Sequence, residues 1–180
     1  MPAADAHIVE RVLAGDTEAF GVLVERYHAR CVRLALHILG NREDAEDAAQ
    51  ESFLRAYRYL SGYRERERFA SWLYRILVNQ CRTILARRER VEAPLPEWEW
   101  SLIGAEDLRV EQGGALRDEL SRALALLAPE QREAVVLKFS EDLTYDEMAA
   151  VTGAGVSALK MRVRRACTRL RALLLESSHV

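Results

Sequence analysis

Lysine is almost missing from this 180-residue chain: Lys138 and Lys160 are the only two, and arginine carries the rest of the positive charge. Cysteine is nearly as scarce. Cys31, Cys81 and Cys167 are far apart, odd in number and outside any CxxC pair, which argues against a disulfide framework or a cysteine-rich zinc site. His28 and Cys31 could share a helix face as HxxC, but two ligands do not make a closed tetrahedral site, and His7, His28, His37 and His179 are dispersed. No apolar run approaches the roughly 18 residues that span a bilayer, and the N-terminus (MPAADAHIVERV) lacks a basic-then-apolar signal. A cytoplasmic protein without membrane insertion is expected. There is no nucleophile–base pair, phosphate loop or metal cluster, so the expectation is binding rather than catalysis, with no cofactor.

What is present is charge, sorted by sign. The net charge is only −2, yet Arg42 to Glu51 holds five acids against one base, Arg64 to Arg90 eight arginines against three glutamates, and Lys160 to Arg171 six bases and no acid. Such segregation implies two kinds of partner, one presenting a basic surface and one a polyanion.

Glycine and proline concentrate between Val91 and Gly114, where Pro94, Pro96, Gly104, Gly113 and Gly114 accompany the PEWEW run and five acids between Glu92 and Asp107. This reads as a linker, 91–114, between an N-terminal helical domain, 1–90, and a smaller C-terminal one, 115–180. The fold class expected is all-α: an N-terminal helical bundle and a C-terminal helix-turn-helix domain.

Periodicity supports that reading. Behind Asp16, a good N-cap, Phe20, Leu23, Val24, Tyr27, Cys31, Leu34, Ala35 and Ile38 form one apolar stripe. Gly40 and Asn41 end that helix and start another, whose inner stripe is Ala45, Ala49, Ser52, Phe53, Ala56, Tyr57 and Leu60. Glu43, Asp44, Glu46, Asp47, Gln50 and Glu51 lie mainly elsewhere, more acid and amide groups than helix capping requires. After a break at Ser61 and Gly62, the stripe resumes with Phe69, Trp72, Leu73, Ile76, Gln80 and Ile84. Here Arg64, Arg66, Arg68, Arg75, Arg82 and Arg87 stand among Trp72 and Tyr74, a mixture of phosphate-neutralising and stacking groups suited to single-stranded nucleic acid.

The C-terminal half begins with an apolar-striped helix from Leu116 to Leu127, then Pro129 at a helix start, followed by Val135, Val136 and Phe139. Thr144 and Glu147 have capping-box spacing, the helix they open runs to about Thr152, and Gly153-Ala-Gly155 turns into a long helix from about Val156. Two short-linked helices, the second basic, make a helix-turn-helix. Leu159, Val163, Ala166, Leu170 and Leu173 are spaced to face inward. Lys160, Met161, Arg164 and Arg165 are candidates for base contact in a major groove, and Ser157 and Arg162 for phosphate contact.

In this order and spacing, the motifs resemble the conserved regions of extracytoplasmic-function sigma factors, over about Ile8 to Leu175. NREDAEDAAQESFLRAYRYL is similar to the family segment that docks on the clamp coiled coil of the RNA polymerase large subunit, which implies contact roles for Asp44, Asp47, Gln50 and Glu51. FASWLYRILVNQCRTILARRER resembles the segment that captures the melted −10 promoter element. The resemblance implies that Asn79, with the loop from about Ser61 to Arg68, holds a flipped non-template base. LTYDEMAAVTGAGVSALKMRVRRA resembles the motif that reads duplex −35 DNA. The implied partners are core polymerase, promoter DNA in both forms and, by family habit, an anti-sigma factor; the acidic linker would thread through the enzyme. Three positions depart from the pattern. Thr83 stands where the family often has aspartate, Met161 replaces a small polar residue, and Ala158 replaces a hydroxyl residue that opens the recognition helix, a cap that Ser157 is expected to supply. The rival reading is a conventional dimeric helix-turn-helix regulator on a palindromic site, for which the acidic helix and the aromatic-basic helix would be accidental.

Overall fold

The computed structural model describes residues 2–64, 69–91 and 114–177. Arg66, Arg68 and almost all of the predicted linker, residues 92–113, lie outside them. Among the described residues there are eight α-helices, one short 3-10 turn at Leu60–Gly62 and no strand. In chain order they are α1 (Pro2–Leu13), α2 (Ala19–Leu39), α3 (Arg42–Tyr59), α4 (Phe69–Val91), α5 (Gly114–Ala125), α6 (Pro129–Phe139), α7 (Tyr145–Thr152) and α8 (Val156–Ser177). No helix among them is long and apolar enough to cross a membrane.

Local chemistry sets most of these boundaries. One Asp16 oxygen accepts from Ala19 N–H at 3.2 Å, and the other is held by Arg11 at 2.6 Å. That guanidinium, in the first place, keeps the exposed Asp16 carboxyl below its ordinary range. α2 stops at Gly40, whose φ of 71° is the left-handed value that glycine adopts without strain. Asn41 then caps α3 by accepting from Asp44 N–H at 2.9 Å. The capping box at Thr144 and Glu147 is complete, and α7 ends at Gly153 with φ 74°. The carbonyl of Gly155 accepts from Leu159 N–H at 3.0 Å, so Ser157 lies inside the first turn of α8 and does not take the cap expected of it.

In the N-terminal half α2 is the central helix, packed on α1, α3 and α4, with Leu23, Cys31, Leu34 and Leu39 fully buried. α1 went unread in the sequence; Asp5 anchors it, accepting from the Tyr27 hydroxyl at 2.5 Å and pairing with Arg26. Tyr57, placed in the inner stripe by its spacing, is 43% exposed and rests edge-on against Phe20 with centroids 5.2 Å apart. In the C-terminal half α6 is enclosed nearly all round: every residue from Arg132 to Leu137 is buried. A helix surrounded in this way has no polar face to mark its orientation in the sequence. Phe139, read as part of its apolar run, lies beyond that enclosure and is largely exposed.

The halves meet directly, α2 against α6 and α4 against α7. Arg132 is central to the first contact. Buried beside the end of α5, it donates to the carbonyls of Leu124, Ala125 and Leu127, and across the junction to Ile38 at 3.2 Å. Burial brings its pKa down to about 10, so it stays a cation at neutral pH.

Candidate functional site

Asp44, Asp47, Gln50 and Glu51 line one wall of an open groove of about 760 Å³ between α3 and α4. Because α3 turns its alanines inward (Ala45, Ala48, Ala49 and Ala56 are fully buried), α4 approaches closely and the longer polar side chains are left along the edge. Asp47 and Gln50 are exposed. Glu51 is bridged to Arg55 one turn on, at 2.8 Å. Asp44 is engaged within the molecule, ion-paired with Arg88, which also donates to the Leu39 carbonyl at 2.9 Å. Burial pushes the Arg88 pKa down from its ordinary value. Leu54, 47% exposed, puts an apolar patch on the acidic wall, and Arg87 and Arg88 form the far wall. Arg87, grouped by sequence with the nucleic-acid residues, thus sits in the acidic groove.

The aromatic-basic helix α4 starts in a cluster of rings. Phe69, 1% exposed, is core; Trp72 is partly exposed and packs on Phe69 at 5.8 Å and Tyr63 at 4.9 Å between centroids. Gly62, Tyr63, Arg64, Ser71, Trp72 and Arg75 surround a hollow of about 210 Å³, and Ala150 of α7 closes its rim. This is smaller than the roughly 300–1,000 Å³ of sites for whole small molecules, and suits one planar group with its charged neighbour. Arg75 and Asn79 are exposed one turn apart on the same face. Thr83 follows another turn on, donating its hydroxyl to the Asn79 carbonyl at 2.9 Å.

Two predicted members of this face point elsewhere. Tyr74 is 1% exposed and donates to Glu141 at 2.7 Å. Burial, and after it the charge of Glu141, pushes its phenol far above the ordinary tyrosine range. Arg82 forks both oxygens of Glu133, at 2.7 and 3.0 Å, and reaches the carbonyl of Thr152 at 2.9 Å. Tyr74 is thus closed off from solvent, whereas Arg82 keeps 38% of its side chain exposed while it is paired. Sequence reasoning missed Glu133 and Glu141. The available signal was weak: Glu133 interrupts the apolar run of α6, an acid where burial is expected.

The helix-turn-helix faces separate as their spacing predicts. Leu159, Val163, Ala166 and Leu170 are buried, whereas Ser157, Lys160, Met161, Arg164 and Arg165 are exposed; Arg162 and Leu173 are intermediate. Ala158, where a hydroxyl residue was expected, is exposed too. The Lys160 ammonium lies 5.7 Å from the centroid of Tyr145, which also receives Lys138 at 5.5 Å. These cation–π contacts link the start of α7 to the outer face of α8. Among the described residues no group of three or more His, Cys, Asp or Glu side chains could hold a metal ion.

Known proteins with these features are sigma factors. Residues 23–91 match Sigma-70 region 2, and residues 117–170 match Sigma-70 region 4. The RNA polymerase sigma-H factor of Pseudomonas aeruginosa is 32% identical over 172 residues, covering 90% of this chain and 89% of its own. The ECF RNA polymerase sigma-E factor of Escherichia coli is 33% identical over 177 residues, covering 90% of each. Among solved structures, CnrH in complex with the cytosolic domain of CnrY superposes with a TM-score of 0.71 at 26% identity, over 95% of this chain and 97% of that one. The fold is shared as well by the sigma factor RpoE of Bartonella quintana, with a TM-score of 0.69 at 24% identity over 88% of this chain and 96% of that one. Both halves match, including the two helices that a simple dimeric regulator would leave unexplained. The chain belongs to the sigma-70 family, as an alternative sigma factor of the extracytoplasmic-function type that directs promoter-specific transcription.

Proposed function

We propose that three separate faces divide the work: the α3–α4 groove docks on the clamp coiled coil of core polymerase, the exposed side of α4 captures melted −10 DNA, and α8 reads duplex −35 DNA. The observation that carries this is the placement of opposite charge on separate helices. Asp47 and Gln50 stand exposed beside Leu54 on α3, while Lys160, Arg164 and Arg165 stand exposed on α8. Acids around an apolar patch suit a basic protein helix, and a basic helix over a buried apolar stripe suits a major groove.

For −10 capture, the hollow under Trp72 gives an unpaired base a stacking face, and Arg64 and Arg75 on its rim meet the adjoining phosphates. Asn79 offers its amide one turn further on. The protein works in the cytoplasm, by binding rather than by catalysis, and an anti-sigma factor is its natural regulator; the similar CnrH chain was itself captured with the cytosolic domain of another protein.

The test is reconstitution: purified chain, core polymerase and a library of promoter templates in a runoff assay. Discrete transcripts that require both the chain and a −35/−10 pair are expected. Association with core enzyme but no template preference would sink the assignment of α8, and no association would sink that of α3.

A further inference from the structure

Only two of the 26 basic side chains are lysine, and the fold brings both to one ring. Lys138, next to last in α6, places its ammonium 5.5 Å from the centroid of Tyr145, and Lys160, early in α8, lies 5.7 Å from it. Both distances fall within the roughly 6 Å over which a ring face attracts a cation. An ammonium is a compact point charge, so two can share a ring where two planar guanidiniums would crowd. The three side chains differ in freedom. Tyr145 opens α7 between the two members of the capping box, Thr144 and Glu147, which bond each other at 2.8 and 3.3 Å. Its ring is partly buried and packs against the core. Lys138 is held as well, donating to the Leu143 carbonyl at 2.9 Å. Lys160 is exposed, and the ring is what the structure sets against its ammonium.

We propose that Tyr145 is a positioning residue for −35 recognition: its ring fixes the direction of the Lys160 ammonium, and so sets the base preference where Lys160 meets the duplex. This rests on reading α8 as the −35 helix, and assigns part of its specificity to a residue outside it. Lysine has a flexible four-carbon stem, and a loose one meets several base edges or phosphates alike, which gives affinity without selection. A ring that holds the ammonium to one side restricts which base pair it meets. At an exposed site the attraction corresponds to about a two- to fivefold preference for the held direction. Tyr145 therefore acts on discrimination rather than on whether DNA binds. Lys138, tied to the loop before α7, seats the ring from the α6 side, so the end of α6 and the start of α7 together aim a side chain of α8.

The contact itself is tested by nuclear magnetic resonance on the free full chain carrying carbon-13-labelled lysine, which gives one set of side-chain signals for each of the two lysines. A ring face moves nearby methylene signals upfield. Both sets should be displaced in the parent and in Tyr145→Phe, and should return to unstructured positions in Tyr145→Leu. For specificity, each variant is assembled with core polymerase and bound to a duplex library randomised over the −35 element, and the retained DNA is sequenced. Lys160→Ala marks the positions that Lys160 reads. Tyr145→Leu should flatten preference at those same positions by about two- to fivefold, with the total DNA bound unchanged, and Tyr145→Phe should keep the parental preference. Tyr145→Leu with Lys160→Ala should be no flatter than Lys160→Ala alone, whereas a merely structural loss would add to it. An undisplaced Lys160 signal in the parent, unaltered preference in Tyr145→Leu, or additive losses would overturn the role of Tyr145 and leave α8 as the −35 reader. A parent that selects no sequence from the library, or whose selection Lys160→Ala does not alter, overturns base contact by Lys160 and the role of Tyr145 with it.

Discussion

Replacing Arg132 by methionine keeps the aliphatic volume of the side chain and removes its donors. Those donors satisfy four carbonyls, of Leu124, Ala125, Leu127 and Ile38, and three of the four bonds are fully buried. Each buried acceptor left without a donor costs about 1–3 kcal/mol, and the partly buried Ala125 carbonyl can turn to water. Against this stands the expense of keeping a cation out of water, visible in a pKa lowered to about 10, which methionine relieves. The net loss should be about 3–5 kcal/mol, out of the roughly 5–15 kcal/mol that holds such proteins folded. At this size that lowers the melting temperature by about 10 °C. Arg132→Lys should recover little of it, because one ammonium cannot span carbonyls from the ends of two different helices. Urea unfolding followed by circular dichroism measures the difference. The bond to Ile38 ties α6 to α2, so the variant should also unfold less cooperatively, with a shallower dependence on denaturant. A loss below about 1 kcal/mol with an unchanged slope would refute the reasoning, since the carbonyls would then be finding other donors.

Other expectations concern the separate faces. Asp47→Lys with Glu51→Lys should weaken association with core polymerase in a pull-down while leaving the melting temperature nearly unchanged, because exposed helix charges contribute little to stability; undiminished co-elution would show that the groove is not the docking face. Lys160→Ala and Arg164→Ala should each relax preference at one or two −35 positions, by about 1–3 kcal/mol of discrimination, whereas Arg162→Ala should weaken all duplexes alike and flatten the salt dependence. Uniform losses in all three footprinting series would mean that base and phosphate roles are misassigned. Asn79→Ala should slow promoter opening, read by 2-aminopurine in the −10 element, more than it weakens initial binding; equal effects on both steps would remove Asn79 from base capture. At pH 8 one thiol per native chain, Cys167, should react quickly with a disulfide reagent, since burial pushes the Cys31 and Cys81 thiols well above their ordinary range. Three thiols reacting at one rate would contradict the closed core.

What could be read from the sequence was mostly local. Gly40 and Asn41, Thr144 and Glu147, and Gly153 act through bonds to residues a few positions away, so their spacing alone locates helix ends. α8 is equally legible, because one side is buried and the other exposed, and a period of 3.6 then sorts its residues. The sequence places Tyr74 and Arg82 among the DNA-facing residues for a sound local reason, being polar or basic on a helix rich in both. Their partners Glu133 and Glu141 lie 51 and 67 residues away, and no pattern within a single helix reports a contact of that range. Glu141 sits in a turn, where acids are ordinarily solvated, yet it is buried, with Tyr74 of α4 and Arg30 of α2 both brought against it. Arg132 went unnoticed for a related reason: its partners are backbone carbonyls, which every sequence has.

α4 ends at Val91 and α5 begins at Gly114, and these two points fix a length as well as a boundary. Twenty-three Cα steps at 3.3–3.6 Å give a tether of at most about 80 Å when fully drawn out. Two DNA elements whose centres are about 25 base pairs apart, as the labels −35 and −10 state, lie roughly 85 Å from one another along straight duplex at 3.4 Å per pair. Tether and spacing are thus of the same order, with the dimensions of the two halves supplying the margin. Under the proposed division of labour the chain would be a ruler as well as a pair of readers: promoters with longer spacers would have to bend or untwist to be held at both ends at once, and shortening the tether would shift the preferred spacing toward closer elements.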